Sequence, residues 1–141
     1  MRHLETAANS GFGDVVTLLL EWGAAADPTC LVHVHRSSPE VVDILCAYGA
    51  DPNAELSHPH ISPLHAAAGD AEAVNILSYL ISNGANVNED HGWHTPLEVA
   101  AECSNPGAMS LLLQNGAMVT PAAMSLCTDY QCMRLLDMDL D

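Results

Sequence analysis

The segment LLLEWGA at residues 18–24 returns three more times along the chain, as ILCAYGA at 44–50, YLISNGA at 79–85 and LLLQNGA at 111–117. The glycines of the four copies, at positions 23, 49, 84 and 116, are separated by 26, 35 and 32 residues. Recurrence near 33 residues is typical of a repeat protein, in which one small supersecondary unit is stacked on the next. Because the spacing is uneven, we expect insertions and deletions in the connections between units.

Each unit is predicted to contain two helices. The apolar stretch before each glycine has the period of an α-helix, as in Val15, Val16, Leu19 and Leu20, and the glycine occupies the position that ends a helix. Upstream of three of these second helices lies a shorter segment of small residues, which would let helices approach closely. These first helices contain residues 6–8, 65–68 and 99–101. Ser62-Pro63 and Thr95-Pro96 supply an N-cap hydroxyl followed by proline at the first helical position.

These motifs resemble those of ankyrin repeats. Ser62-Pro63-Leu64-His65 and Thr95-Pro96-Leu97-Glu98 are similar to the tetrapeptide that opens an ankyrin repeat, and residues 49–53 and 84–88 resemble its closing segment. The resemblance covers nearly the whole chain. It implies one all-α domain over 1–141, an ankyrin-repeat solenoid of stacked helix-turn-helix units joined by β-hairpin-like finger loops. We expect repeats at about 1–27, 28–56, 57–90 and 91–119, with a capping segment at 120–141.

The second repeat departs most from this pattern. It is shortened, and His33 and Val34 stand where the family has two small residues, so its first helix is expected to be short or displaced. Hydrogen exchange is therefore predicted to open residues 28–40 before residues 62–82. Ankyrin-type inhibitors of cell-cycle kinases are similar in having four repeats with an irregular second one, which leaves kinase inhibition as a distant alternative function.

The charge balance excludes some classes of partner. Eighteen Asp and Glu residues stand against three Lys and Arg, for a formal net charge of −15, which would repel nucleic-acid phosphates and anionic membranes. The acidity indicates either a role in solubility or a protein partner with a basic surface. We expect a monomer. The sequence has no signal peptide and no transmembrane stretch, which predicts a location in the cytoplasm or, by diffusion, in the nucleus. Five cysteines without CxxC spacing suit a reducing compartment without disulfides.

Catalysis and cofactors are not predicted. The histidine pairs at 33 and 35, 58 and 60, and 91 and 94 suggest zinc, but zinc needs three or four ligands at about 2.0–2.3 Å and neighbouring fingers stand about 8–10 Å apart. No nucleophile elbow or phosphate-binding glycine loop is present. A zinc-dependent hydrolase is the alternative from the enzyme class. His65 occupies a position where the family uses histidine to hydrogen-bond neighbouring backbone, so a structural role is expected.

The resemblance implies a concave binding face lined by the first helices and the finger tips. The residues predicted to contact a partner in the groove are Asn9, His35, Arg36, Asp70 and Glu102. Those predicted at the tips are Glu55, His58, Asp90, His91 and Trp93. Trp93 is the best single anchor, unless it packs back on the next repeat. Glu5, Glu98 and Glu102 lie on or beside the predicted first helices, where they form either a solvated acidic wall or part of this groove. Trp22 and Tyr48 are expected to cover the rear of the second helices.

Two further features leave alternatives open. The chain has no lysine, which either follows from its acidic composition or indicates an adaptor, or a pathogen or viral effector, that works beside a ubiquitin ligase without being modified. Asn53 and Asn88 resemble the asparagines that an oxygen-sensing hydroxylase modifies in many ankyrin proteins, since a leucine lies eight residues upstream of each. The alternative to hydroxylation is a structural role, in which these asparagines stabilise the turn through side-chain hydrogen bonds to the backbone.

Overall fold

The computed structural model describes residues 3, 6–7, 12–24, 26, 31, 39–54, 62–89, 94–127 and 133–134. Within these ranges the elements are helical and no strand occurs. The helices are α1 (Gly13–Glu21), α2 (Glu40–Ala47), α3 (Pro63–Ala68), α4 (Val74–Ser82), α5 (Pro96–Glu102), α6 (Pro106–Gln114) and α7 (Pro121–Leu126). A single 3₁₀ turn, Ala71–Ala73, leads into α4. None of the described helices is long and apolar enough to cross a membrane.

The helices form two parallel rows. Helix α3 packs against α4 and α5 packs against α6, so each pair is one helix-turn-helix unit. Along the chain α3, α5 and α7 contact one another in order, and so do α1, α2, α4 and α6. We call these the first-helix row and the second-helix row. The two rows confirm the predicted all-α repeat architecture, in which each unit buries its apolar side against its neighbours.

The predicted starts of the first helices are confirmed. Ser62 caps α3 and Thr95 caps α5, each with its side chain accepting from the backbone N–H three residues later. The side chain of the third residue of each helix, His65 or Glu98, accepts a hydrogen bond from the backbone N–H of the capping residue, which completes a capping box. Thr120 caps α7 in the same way, without the reciprocal side chain.

The predicted stops of the second helices are also confirmed. Gly23, Gly49, Gly84 and Gly116 have φ values of 101°, 101°, 97° and 93°. A Cβ atom at any of the four would meet nothing within 4 Å, so the backbone conformation and not the available space requires glycine. The backbone N–H of the alanine that follows each glycine bonds to the carbonyl five residues before it and closes the helix.

The core lies between the two rows. The second helices contribute large buried side chains such as Leu45, Leu77 and Leu112, while α3 and α5 of the first-helix row each contribute one buried leucine and several alanines. Ala68, Ala100 and Ala101 are fully buried, which lets the first helices lie close together. The first-helix row is therefore tightly packed.

The prediction that Trp22 and Tyr48 cover the rear of the second helices is wrong. Trp22 is 78% exposed and so covers little of α1, while Tyr48 is 45% exposed. Both are the C-cap residues of their helices. At the equivalent position in the third unit, Asn83 bonds to Asp43 of the preceding unit, so this position faces backward along the row.

Candidate partner-binding surface

His65 joins the first-helix row to the next unit. It is 2% exposed, and its Nε2–H donates to the backbone carbonyl of His94. Its Nδ1 accepts from the hydroxyl of Ser62 at 2.7 Å and from the Ser62 N–H at 3.3 Å. Since a carbonyl only accepts, these partners select the neutral imidazole with the proton on Nε2. The predicted structural role of His65 is confirmed, and its ring is fully used in holding units together.

Glu98 has the corresponding position in the next unit. Its Oε2 accepts from the Thr95 N–H and from His94 Nδ1, both at 3.1 Å, and its Oε1 accepts from the Thr120 hydroxyl at 2.7 Å. Burial alone would raise the pKa of Glu98, but the hydrogen bonds from Thr120, His94 and Thr95 outweigh it and lower that pKa below its usual value. Glu98 is only 7% exposed, so the expectation that it belongs to a solvated acidic wall is wrong.

Two asparagines connect the turns of successive units. Asn53 donates from Nδ2 to the Gly84 carbonyl at 2.9 Å and accepts at Oδ1 from the Asn86 N–H at 2.6 Å. Asn88 makes the same two bonds with the next unit, to the Gly116 carbonyl at 3.1 Å and from the Met118 N–H at 2.8 Å. Backbone hydrogen bonding by these side chains was predicted, but the partners lie in the following unit and not in the same turn. The turns are thereby held in a fixed spacing.

A third link lies at the opposite end of the first helices. Asn105 is buried, donates to the Ala68 carbonyl at 3.0 Å and caps α6 by accepting from the Ala108 N–H at 3.3 Å. It follows Ser104, which has a positive φ of 52°. Both ends of α3 and α5 are therefore fixed to each other, and the surface between them has a fixed geometry.

Two of the predicted contact residues lie at the carboxyl ends of neighbouring first helices. Glu102 is the last residue of α5 and is exposed. Asp70 follows α3 and caps the 3₁₀ turn by accepting from the Glu72 N–H at 2.9 Å. These helix ends adjoin, because a Cβ on Gly69 would stand 3.5 Å from Val99 Cγ1 and 3.7 Å from Cys103 Sγ. The fold thus places Asp70 and Glu102 on the same side of the first-helix row, where the helices have their carboxyl ends.

The other predicted contact residues lie outside the described residues. They are Asn9, His35, Arg36, Glu55, His58, Asp90, His91 and Trp93. The same holds for Glu5 and for most of the second repeat's predicted weak segment, residues 28–40.

Sequence reasoning missed two exposed side chains on this surface. Cys103 follows Glu102 directly and is exposed, and burial of part of the thiol, followed by the nearby charge of Glu102, raises its pKa. Met124 of α7 is 43% exposed. Counted from the helix caps, Met124 corresponds to half-buried Ala66 in α3 and to buried Val99 in α5, so the repeat pattern gave no signal for its exposure.

The described surface is acidic. Arg134 is the single Lys or Arg in this part of the chain, against ten aspartates and glutamates. Within the same residues no group of three His, Cys, Asp or Glu side chains could hold a metal ion. Of the six histidines that suggested zinc, only His94 is described, and it bonds to Glu98.

Comparison with known proteins agrees with this architecture. The family model of ankyrin repeats matches residues 31–123 in three copies. The chain is 35% identical over 131 residues to the ankyrin repeat and KH domain-containing protein mask-1 of Caenorhabditis elegans, covering 83% of this chain and 5% of that protein. It is 30% identical over 140 residues to ankyrin repeat and SOCS box protein 6 of Homo sapiens, covering 94% of this chain and 31% of that protein. The chain therefore spans less than a third of either relative.

Proposed function

Because this chain belongs to the ankyrin-repeat family, we propose that it is a non-enzymatic module that binds a partner protein through the concave face and the finger tips. The observation that carries the proposal is the fixed spacing of the first helices. Inter-unit bonds from His65, Glu98 and Asn105 hold this row rigid, so its exposed side chains are presented with little loss of conformational entropy on binding. The buried polar groups maintain the scaffold, and recognition is left to the surface.

The proposed contact residues are those predicted from the sequence, with Asp70 and Glu102 at the adjoining ends of α3 and α5. Asn9, His35, Arg36, Glu55, His58, Asp90, His91 and Trp93 complete the proposed set. The acidic surface favours a partner with basic residues, because opposite charge speeds association and selects among partners. A cytoplasmic or nuclear location remains part of this proposal.

A comparison of two double variants tests the surface. The Trp93→Ala, Glu102→Gln variant removes one aromatic and one carboxylate from the proposed site. The Tyr48→Ala, Glu40→Gln variant removes the same two kinds of group from the second-helix row and serves as the control. Each chain is immobilised, incubated with cell extract and analysed by mass spectrometry. A protein retained by the control and lost by the site variant supports the proposal, whereas equal retention by both would move the binding surface elsewhere.

A second candidate function is that of an adaptor for a ubiquitin ligase. One relative carries a SOCS box by name, and the present chain lacks lysine. A Gln114→Lys variant places a lysine on the exposed end of α6. If the chain works beside a ligase, this variant should gain ubiquitin in cells while the unmodified chain does not. Absence of ubiquitin on both chains would contradict the adaptor function.

Asn53 and Asn88 are also proposed as hydroxylation sites. Their side chains are half-buried and lie in turns, where an enzyme would have to break the inter-unit bonds to reach them. Mass spectrometry of the chain isolated from cells would detect the gain of one oxygen atom at either residue, and its absence at both would refute modification in those cells.

A further inference from the structure

Two asparagines at the ends of second helices are each followed by glycine. Asn83-Gly84 ends α4 and Asn115-Gly116 ends α6, and these are the two Asn-Gly pairs of the sequence. Asparagine is a chemically labile residue, and a following glycine favours loss of its side-chain amide, because the absence of a Cβ lets the glycine nitrogen reach the side chain. Both pairs are therefore reactive wherever the chain is unfolded.

The reaction needs only the chain and water. The backbone nitrogen of the glycine attacks Cγ of the asparagine, the Cγ–Nδ2 bond breaks, and Nδ2 leaves as ammonia with the proton of the glycine N–H. Water then opens the five-membered imide at one of its two carbonyl groups. One opening gives aspartate, and the other gives isoaspartate, in which the main chain runs through the side-chain carbons. Either product adds one negative charge to the chain.

In the folded chain each helix end must open before this reaction can occur. The N–H of the glycine donates to the carbonyl three residues before it, at 3.0 Å in α4 and 3.2 Å in α6. Asn83 and Asn115 also have nearly the same backbone conformation, with ψ values of 14° and 15°. The rate of conversion at each asparagine therefore depends on how readily its helix end opens.

The side chain of Asn83 is held more firmly than that of Asn115. Asn83 is half-buried, and its Nδ2 donates to the Tyr79 carbonyl at 2.8 Å and to Asp43 Oδ1 of the preceding unit at 2.7 Å. Asn115 is exposed, and within the described residues its Nδ2 donates only to the Leu111 carbonyl, at 2.8 Å. Opening the end of α4 thus also breaks a bond across the junction between α2 and α4.

One difference in sequence between the units accounts for this. Asp43 stands six residues before the glycine that ends its helix, and the same position in the next unit is Ser78. Serine is shorter than aspartate and carries no charge, so Ser78 does not offer Asn115 the acceptor that Asp43 offers Asn83. The junction between α4 and α6 lacks this bond.

We propose that Asn115 is a site of spontaneous conversion to aspartate and isoaspartate, and that Asp43 protects Asn83 from the same reaction. Conversion at Asn115 reaches the neighbouring turn, because isoaspartate lengthens the main chain just before Gly116, whose carbonyl accepts from Asn88 Nδ2 at 3.1 Å. Conversion at Asn83 would do more damage. It would place a second carboxylate against Asp43, and the two like charges would repel across the junction.

The test follows both asparagines in the same sample. The full chain is incubated at pH 8, digested and analysed by mass spectrometry, which resolves the gain in mass at each asparagine. An isoaspartyl methyltransferase with labelled S-adenosylmethionine measures the isoaspartate separately. The chain in guanidinium chloride is the control for intrinsic reactivity, since the same Gly-Ala sequence follows both asparagines.

Two variants exchange the acceptor between the junctions. Asp43→Ser removes it from Asn83, and Ser78→Asp supplies one to Asn115. Circular dichroism checks that each variant is folded. Because the two variants change different junctions, Ser78→Asp tests the effect of the carboxylate even where Asp43→Ser does not fold.

We expect Asn115 to convert at least about threefold faster than Asn83 in the folded chain, and the two rates to lie within about twofold in guanidinium chloride. Asp43→Ser should speed conversion at Asn83 by about threefold or more. Ser78→Asp should slow conversion at Asn115 and leave Asn83 unchanged.

Three results would overturn the proposal. The first is equal rates at the two asparagines, or a faster rate at Asn83, in the folded chain. The second is an unchanged rate at Asn83 in a folded Asp43→Ser chain. The third is an unchanged rate at Asn115 in a folded Ser78→Asp chain, because a carboxylate at this position would then give no protection.

Discussion

The carboxylate of Glu98 accepts a hydrogen bond of 2.7 Å from the hydroxyl of Thr120, which caps the next helix of the first-helix row. The two residues are 22 positions apart in sequence. In the preceding unit His65 makes the corresponding link to the backbone at His94. A neutral ring and an anionic carboxylate thus serve the same purpose at equivalent positions, and the carboxylate makes one junction sensitive to acid.

Replacement of Glu98 by Gln should destabilise the chain at neutral pH by about 1–2 kcal/mol, because hydrogen bonds to a charged acceptor are stronger than those to a neutral one. Urea unfolding at pH 7 measures this. The Glu102→Gln variant changes an exposed carboxylate on the same helix and should stay within about 0.5 kcal/mol. Equal effects of the two variants would show that the charge on Glu98 adds nothing to the stability of this junction.

The contribution of Glu98 should also depend on pH. The folded pKa of Glu98 is below its usual value, so the unfolded chain binds the proton more readily. The stabilisation is then present above the unfolded pKa of about 4.3 and is lost as pH falls through the folded pKa. Urea unfolding from pH 7 down to pH 3 should therefore bring the unmodified chain and the Glu98→Gln variant closer in stability. A constant difference across this range would contradict the lowered pKa.

Substitution of Asn53 or Asn88 by Ala should cost about 1–3 kcal/mol each, since two inter-unit hydrogen bonds are lost and backbone groups are left unpaired. Asn75→Ala, on the exposed side of α4, is the matched control and should change stability little. Urea denaturation of the three variants gives the comparison, and a control as destabilised as the other two would argue against the inter-unit role.

Gly84→Ala should destabilise the chain by about 1 kcal/mol, because its φ of 97° strains any residue with a Cβ. Gly69→Ala is the contrast, since this glycine has a φ of −82° and a Cβ there meets ordinary van der Waals contacts. We expect it to be neutral within about 0.5 kcal/mol. Thermal unfolding of both variants measures the difference, and a reversed order would refute the conformational explanation.

Cys46 should alkylate slowly at pH 8. Burial, followed by the charges of Asp43 and Asp51, raises the pKa of its thiol to about 11, so little reactive thiolate is present. Asp43→Asn removes one of these charges, lowers the pKa and should speed alkylation, whereas Asp14→Asn, at the far end of the preceding helix, should not. Iodoacetamide labelling followed by peptide mass spectrometry measures the rate at Cys46. No change in Asp43→Asn would exclude an effect of this carboxylate.

Much of the local structure could be predicted because its determinants are close in sequence. A hydroxyl before a proline starts a helix at residues 63 and 96, and a glycine stops one at residues 84 and 116, whatever the rest of the chain does. The residues of the candidate surface were predicted less completely than the local structure. Only Asp70 and Glu102 of the predicted contact residues lie in the described part of the chain, and Met124 escaped notice because its equivalents Ala66 and Val99 are half-buried and buried.

The sequence by itself determined the repeat, the helix ends and the two-helix unit, since capping, glycine conformation and apolar periodicity act within a few residues. Only the tertiary structure decided the fates of Glu98 and Trp22. Glu98 looked like a surface charge but finds its partner Thr120 in the following unit, whereas Trp22 was expected to cover the rear of its helix but is 78% exposed. The physical reason is that burial and hydrogen bonding in a stacked array are properties of the junction between units, and a junction involves residues far apart in the chain.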